Sequence, residues 1–385
     1  MRGKIVLFTI VACACSLLHS SIAIANGRFP DAQQLAFAPK GGDANLVVLR
    51  TTFGIVVSRD AGKSWNWICE KALGFTGEWD PPVAVTKDGR IWVGLVDGLR
   101  ATRDGCESTA VAALKAARVT DLAVDASGEN LLVTSSPVDG PGRVLVVHTA
   151  KGDAVETIGS TPPKMHLATA DFAPSSGKIY VSGKPFQSSV KRRGHLYAAA
   201  RGKPLVEIPT SLPDEDGIYL SAIDPKNDAH LVIRTLAPGG SDVAISDDGG
   251  KTFTSTFHSP TLLYGFAKSE DAKTLFVGSG DPQDGVSVSK DGGKTWKKAS
   301  GTSVRCLGLA NGLLYACSTP YRPNGFAVAS SSDLGATFTT LTTFADIAGP
   351  VACDAGEGTE CASLWPAQKQ ALTIQKPIGA NEDAG

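Results

Sequence analysis

Beyond residue 25 the chain has no run approaching the ~20 consecutive apolar residues that a membrane-spanning helix requires, so no span is expected in the mature protein. Charge of one sign is also lacking. Lysine and arginine number 37 against 38 aspartates and glutamates, the formal net charge is −1, and no long block of one sign occurs. A nucleic-acid partner or a membrane-surface footprint is therefore not expected. Histidine is scarce: outside the first 25 residues His148, His166, His195, His230 and His258 stand singly. They show neither His-x-His nor His-Glu-x-x-His spacing, which removes the usual signatures of a metal centre or a Cys/His nucleophile. No metal, cofactor or catalytic residue is expected. Gly62-Lys63-Ser64, Gly250-Lys251-Thr252 and Gly293-Lys294-Thr295 imitate the end of a phosphate-binding loop, but Val57, Ile245 and Val288 stand where that loop needs a further glycine.

The first 25 residues read as an export signal. Arg2 and Lys4 form a short basic start, Ile5 to Leu18 is mostly apolar, and Ala23-Ile24-Ala25 supplies a small-x-small cleavage pattern. Cleavage there yields a mature chain starting at Asn26, periplasmic or extracellular. Ile10-Val11-Ala12-Cys13 also fits a lipoprotein box that would leave Cys13 lipidated; it is the lesser alternative because it shortens a modest apolar region. Six of the eight cysteines remain after cleavage, and an even number in an exported chain favours disulfides. Leu309-Ala310-Asn311-Gly312-Leu313 reads as a two-residue hairpin turn whose register sets Cys306 opposite Cys317, within disulfide reach. Proximity and elimination then couple Cys69 with Cys106 and Cys353 with Cys361.

The organising feature is an internal repeat. Ser58-Arg59-Asp60-Ala61-Gly62-Lys63-Ser64-Trp65 returns as Ser246-Asp247-Asp248-Gly249-Gly250-Lys251-Thr252-Phe253, as Ser289-Lys290-Asp291-Gly292-Gly293-Lys294-Thr295-Trp296 and as Ser331-Ser332-Asp333-Leu334-Gly335-Ala336-Thr337-Phe338. The pattern reads as a hairpin turn: glycine supplies a positive φ, the Asp and Ser or Thr side chains close the loop, and the aromatic starts the next strand facing the core. Thr102-Arg103-Asp104-Gly105-Cys106 is a shortened copy, and apolar hairpins without the motif turn near Lys151 and Arg201. Seven turn centres at a spacing of 42 to 50 residues imply seven units. Each reads as four strands; in the sixth these are 264–267, 274–278, 286–289 and 296–298, and in the first 34–38, 46–50, 55–58 and 65–68. Helix is expected to be nearly absent.

With these residues the chain resembles the Asp-box, or BNR-repeat, β-propellers. The resemblance implies an all-β, seven-bladed β-propeller of four-stranded antiparallel blades over residues 26–346, followed by a disulfide-pinned tail over 347–385 whose last residues are disordered. Asp60, Asp104, Asp248, Asp291 and Asp333 are then structural. They are spread around a ring and cannot converge on one ion or substrate, and their loops lack the alternating ligands of a calcium site. Sialidases share the box, but their Arg-Ile-Pro segment is missing, Arg322-Pro323 comes late without the middle residue, and their propeller has six blades. Glycosidases with paired carboxylates remain an alternative, for which Glu78-Trp79-Asp80 or Asp214-Glu215-Asp216 could serve; loop solvation explains both runs more simply.

Function in such a propeller is expected on the loops opposite the box turns. The longest are 74–82, with Phe75, Glu78, Trp79 and Asp80; 183–194, with Phe186, Lys191, Arg192 and Arg193; and 319–325, with Tyr321 and Arg322. Aromatic and arginine side chains are favoured interface anchors. The reading is an exported, monomeric binding or scaffold propeller, more a binder than an enzyme, with a protein or glycan ligand. It is similar in kind to sortilin-type receptors and to propellers like the photosystem II assembly factor; only Lys191 to Arg193 approaches the latter's arginine patch.

Overall fold

In the computed structural model, residues 29–75, 79–187, 191, 193–214, 217–236, 239–319 and 324–374 are described. Residues 1–25, read above as an export signal, and the polar end at 381–385 lie outside them. Alternating short β-rich runs and Gly- or Asp-containing turns fold into seven sheets of four antiparallel strands, each sheet contiguous in sequence. Blade 1 holds β1 (Ala32–Phe37), β2 (Val47–Thr51), β3 (Gly54–Ser58) and β4 (Asn66–Ile68), and blade 2 holds β5 (Val83–Val85), β6 (Ile91–Gly94), β7 (Leu99–Thr102) and β8 (Thr109–Ala110). Blade 3 comprises β9 (Val119–Val124), β10 (Asn130–Ser135), β11 (Pro141–His148) and β12 (Ala154–Pro163); blade 4, β13 (Met165–Phe172), β14 (Ile179–Pro185), β15 (His195–Ala199) and β16 (Val206–Ile208). Blade 5 runs through β17 (Gly217–Asp224), β18 (Asn227–Leu236), β19 (Ser241–Ser246) and β20 (Thr254–Ser259), and blade 6 through β21 (Leu263–Lys268), β22 (Leu275–Ser279), β23 (Val286–Ser289) and β24 (Lys297–Ser300). β25 (Cys306–Ala310), β26 (Leu313–Cys317), β27 (Val328–Ser331) and β28 (Thr339–Thr342) complete blade 7.

The Asp-box turns close on themselves. In the sixth blade Asp291 Oδ1 accepts from the backbone N–H of Lys294 and Thr295 at 3.0 and 2.9 Å, and its Oδ2 accepts the Thr295 hydroxyl at 2.6 Å. Ser289 donates to Asp291 at 2.8 Å while its oxygen accepts the Gly293 N–H at 2.9 Å. The turns at Asp60, Asp248 and Asp333 repeat the pattern, and Asp104 keeps its bond to the Cys106 N–H at 2.8 Å. In the four full boxes two successive residues have positive φ, and the second is always glycine; the Asp104 turn has Gly105 alone. A Cβ on Gly250 would sit 2.4 Å from the end of the Leu196 side chain of the preceding blade, which would have to shift, and its positive φ favours glycine besides.

Each box aromatic packs backward into the crevice shared with the preceding blade. Trp296 packs on Ile245 and Phe257 of blade 5, Phe253 against Leu196 and Ile208 of blade 4, and Phe338 beside Ala299 of blade 6. Trp65 is fully buried, and its indole N–H donates to the Gly62 carbonyl at 3.0 Å. Burial of such a ring stabilises by about 2 to 3 kcal/mol.

The inner strands have a free edge on the channel, and side chains of the preceding blade satisfy it. Gln34 bonds both the N–H and the carbonyl of Val83, Asp121 Oδ2 accepts the Ala170 N–H at 2.8 Å, Thr169 accepts the Leu220 N–H at 2.8 Å, and Arg234 donates to the Leu263 carbonyl at 2.7 Å.

The four antiparallel strands of every blade come from one stretch of chain, so the ring is closed by the tail. After blade 7, β29 (Gly349–Pro350) adds to β4 as a parallel fifth strand, with the Ala348 and Val351 N–H groups donating to the Trp65 and Trp67 carbonyls at 3.0 and 2.9 Å. Two disulfides fasten it. Cys361 bonds Cys69 at the end of β4, and Cys353 bonds Cys106 in the blade 2 turn. The pairings Cys69 with Cys106 and Cys353 with Cys361 are thereby corrected: the tail lies against the rim of blades 1 and 2, bringing each of its cysteines to a different blade. Cys306 and Cys317 face each other in register and are bonded.

The expectation of almost no helix also needs correction. A turn, α1 (Glu70–Leu73), follows β4, and the tail ends in the fifteen-residue α2 (Glu360–Ile374), which sets Trp365 against Trp67 at 5.6 Å between ring centroids. α2 contains Pro366, which is costly in a helix interior, so tertiary anchoring holds it in place.

Loop-closure entropy ranks the disulfides. Either long loop alone, of 292 or 247 residues, would contribute about 5 to 6 kcal/mol, but one nests in the other, so the second bond adds about 4 kcal/mol, against about 3 kcal/mol for Cys306–Cys317, spanning 11. In urea unfolding of oxidised protein, Cys361→Ser with Cys69→Ser is expected to lose more stability than Cys306→Ser with Cys317→Ser; the reverse order would contradict the clasp. The box carboxyls add an acid-side dependence. Hydrogen bonds from their own loops push Asp60, Asp291 and Asp333 down to about 2 from 3.8, so their contribution is complete above pH ~4 and is lost as pH falls through ~2. Tm followed from pH 5 to pH 2 should fall less steeply in Asp291→Asn than in the parent protein.

Candidate functional site

The box turns and the first-to-second-strand turns share one face, called the bottom. The loops joining second to third strands and successive blades form the top, where a functional site was expected. Glu78, Arg192, Tyr321 and Arg322, with Glu215 and Asp216, lie outside the described residues. Trp79 is half-buried: its indole N–H donates to the Gly94 carbonyl at 3.0 Å, and the Arg118 guanidinium lies over its ring at 4.9 Å. Asp80 accepts from the Gln33 amide at 3.1 Å, and its carbonyl accepts from Arg50 at 3.1 Å. Phe186 meets His166 edge-on at 5.7 Å, and Arg193 donates to the Gln187 carbonyl at 3.0 Å. Lys191 pairs with Asp214 at 3.6 Å.

These contacts form two groups: Trp79 and Asp80 are tied to Gly94, Arg118 and the inner strands of blade 1, while Phe186, Lys191 and Arg193 are tied within the blade 4 loop and to Asp214. Burial, then the nearby charges of Lys184 and Arg118, push His166 down to about 4; its ring is neutral at physiological pH, in a locally positive field. Sequence reasoning passed over Arg118 and His166 because neither belongs to a motif and their partners are tens of residues away.

The channel wall holds a second group. Burial pushes the Asp121 carboxyl up to about 7; the bonds from the Ala170 and Leu122 N–H groups oppose this, and the charge of Asp171 adds to it. Asp171 is paired across the channel with Lys268 at 2.9 Å. Among the described residues no group of three or more His, Cys, Asp or Glu side chains is placed to hold a metal ion, and no helix is long and apolar enough to cross a membrane.

Apolar exposure is uneven. Eight large apolar side chains are exposed among the described residues, and six of them, Phe29, Val96, Val138, Leu236, Leu262 and Tyr264, lie on the top face. Val206 on an outer strand and Leu334 in a box turn are the others.

The family model for the BNR/Asp-box repeat matches residues 287–298. Among curated proteins none matches the chain in sequence. Several solved structures are similar in fold. The GH74 enzyme of Niastella koreensis is 15% identical with a TM-score of 0.42, over 84% of this chain, which spans 58% of that one. The hydrazine synthase of Kuenenia stuttgartiensis is 11% identical with a TM-score of 0.53, over 75% and 93% of the two chains. A puromycin hydrolase S511A mutant complexed with PGG is 12% identical with a TM-score of 0.55, over 84% and 55%. For the latter two, at such identities, the likeness bears on the fold and on nothing of the activity.

The raised Asp121 carboxyl gives a signed expectation. Its contribution is complete below pH ~4 and is lost as pH rises through ~7. Asp121→Asn keeps an acceptor for the Ala170 N–H, so Tm between pH 5 and pH 8 should fall less in the variant than in the parent; parallel curves would refute the assignment.

Proposed function

We propose that this seven-bladed propeller with BNR/Asp-box repeats is an exported binding or scaffold protein that engages a protein partner through its top face. The carrying observation is that six of the eight exposed large apolar side chains among the described residues lie on that face, which also carries the half-buried rings of Trp79 and Phe186. Exposed apolar and aromatic groups among polar ones are what protein interfaces use, and glycan sites lean more on polar groups. Three disulfides fit an oxidising compartment, which supports export through the N-terminal segment.

A second reading, glycoside hydrolysis, draws on Asp121 and Asp171: a carboxyl pushed up by burial, near a second one paired with a lysine, offers the two carboxyl groups that such chemistry uses. Both, however, already serve as ties between blades. The readings separate experimentally. A photo-cross-linker at Leu262 is expected to give a discrete protein adduct in the native envelope, the same group at Leu334 on the bottom face none, and Leu236→Asp with Leu262→Asp to weaken capture about tenfold or more with Tm unchanged. Release of sugar from any member of a glycoside panel, abolished in Asp121→Asn, would replace the binding reading with the enzymatic one.

A further inference from the structure

The repeats supply their own control for an empty place. Where blades 1, 5, 6 and 7 insert Trp65, Phe253, Trp296 and Phe338 into the crevice with the preceding blade, the blade 4 turn has no box. Leu205 takes the place of the aromatic and packs beside Gly159 and Ile158. The crevice between blades 3 and 4 is left as a cavity of about 830 Å³, with Val146, Ile158, Phe172 and Pro204 among its lining. Across Lys203 and Pro204 it adjoins a second cavity of about 560 Å³ against blade 5. Each cavity by itself is in the range of ligand sites.

The rim carries three carboxylates and three cations, which differ in how they are held. The acidic groups are engaged within their own turns or with neighbours: Asp125 accepts from Ser127 and Asn130, Glu129 faces Lys87 at 3.8 Å, and Glu156 meets His148 at 3.1 Å. Lys151, Arg201 and Lys203 are exposed, and among the described residues no carboxylate pairs with them. An apolar floor with unpaired cations at its lip calls for an apolar ring carried next to negative charge.

We propose that this groove binds an acidic peptide segment of a partner protein, which inserts a Trp or Phe side chain where the chain's other blades insert their own. A peptide is favoured over a sugar because the crevice is the one that this fold elsewhere fills with an aromatic side chain carried on a polypeptide turn. The site lies on the box face and outer wall, away from the top face, and does not depend on the function proposed above.

Fluorescence anisotropy of a labelled Glu-Asp-Trp-Glu-Asp peptide, capped at both ends, tests it on the mature protein. Saturable binding is expected, weakened about tenfold when the peptide Trp is replaced by Ala or its acids by amides, and about tenfold by Arg201→Glu with Lys203→Glu. Leu205→Trp should restore the missing ring, raise Tm and abolish binding. If Leu205→Trp does not fold, the charge reversals still decide. Binding equal for the Trp and Ala peptides, binding unchanged by the charge reversals, absence of saturable binding, or binding of a uronic-acid oligosaccharide in place of the peptide would each overturn the proposal.

Discussion

A ring of sheets in which every blade is complete by itself must be held shut by something other than a shared strand, and here the C-terminal tail does this. The seam between blades 7 and 1 has its own contacts, with Phe37 against Tyr315 at 5.0 Å and Arg305 paired with Asp31 at 3.0 Å. Those are of the same kind as the contacts between other blades, and without covalent continuity the seam would be the first to open. β29 and α2 reach past it, and the cystines tie the end of the tail to blades 1 and 2. The unfolded chain loses most entropy when its cross-links are farthest apart in sequence. Gly358 shows how closely the tail lies: a Cβ there would stand 2.6 Å from the Gly105 carbonyl and 2.7 Å from the Cys106 Cα.

The clasp also explains why the blade 2 turn departs from its relatives. A full box there would direct an aromatic into the crevice with blade 1, where Ile68 lies beneath Gly105. Cys106 occupies that segment instead and is used to fasten the tail. Blade 3 takes another course: its turn has no box, and Arg90 bridges from blade 2 to Asp153 at 2.8 Å while lying over Trp92 at 4.6 Å. Two losses of the motif are thus offset by a cystine and by a partly buried ion pair over an indole. The third, in blade 4, is offset only by Leu205, and there the wall stays open.

What could be read in the sequence follows how local each determinant is. The box is a set of bonds closed within eight residues, so its four copies announced their turns and, with the spacing, the number of blades. Cys306 and Cys317 were legible because a two-residue hairpin fixes the register between them. Cys69 and Cys106 were not, because their partners lie 292 and 247 residues away and come near only after the ring has formed. α2 was hidden by Pro366 and by the absence of a clear apolar stripe, since the tail is placed by cystines and by Trp365 against Trp67. On the top face, Trp79 and Asp80 stood out by residue type and prove to be hydrogen-bonded within the loop network. Arg118, His166 and Asp121 owe their character to neighbours on other blades, which no local pattern announces.

The two faces of the ring differ for the same reason. A box carboxylate accepting several bonds from its own loop has its lone pairs occupied, which is why four matched aspartates form no site. A face built from such turns is rigid and chemically quiet. The top loops carry no repeated device of this kind; they are satisfied piecemeal, through a Trp on an arginine, a histidine kept neutral by burial, and carboxylates shared between blades. Because each solution is particular to its blade, the loops can differ without loss of the fold, and the selectivity of the molecule can reside there. The blade 4 turn is the exception on the quiet face: freed of the box, it exposes cations and an apolar wall together, and it is the one place where the repeat has been made as particular as a loop.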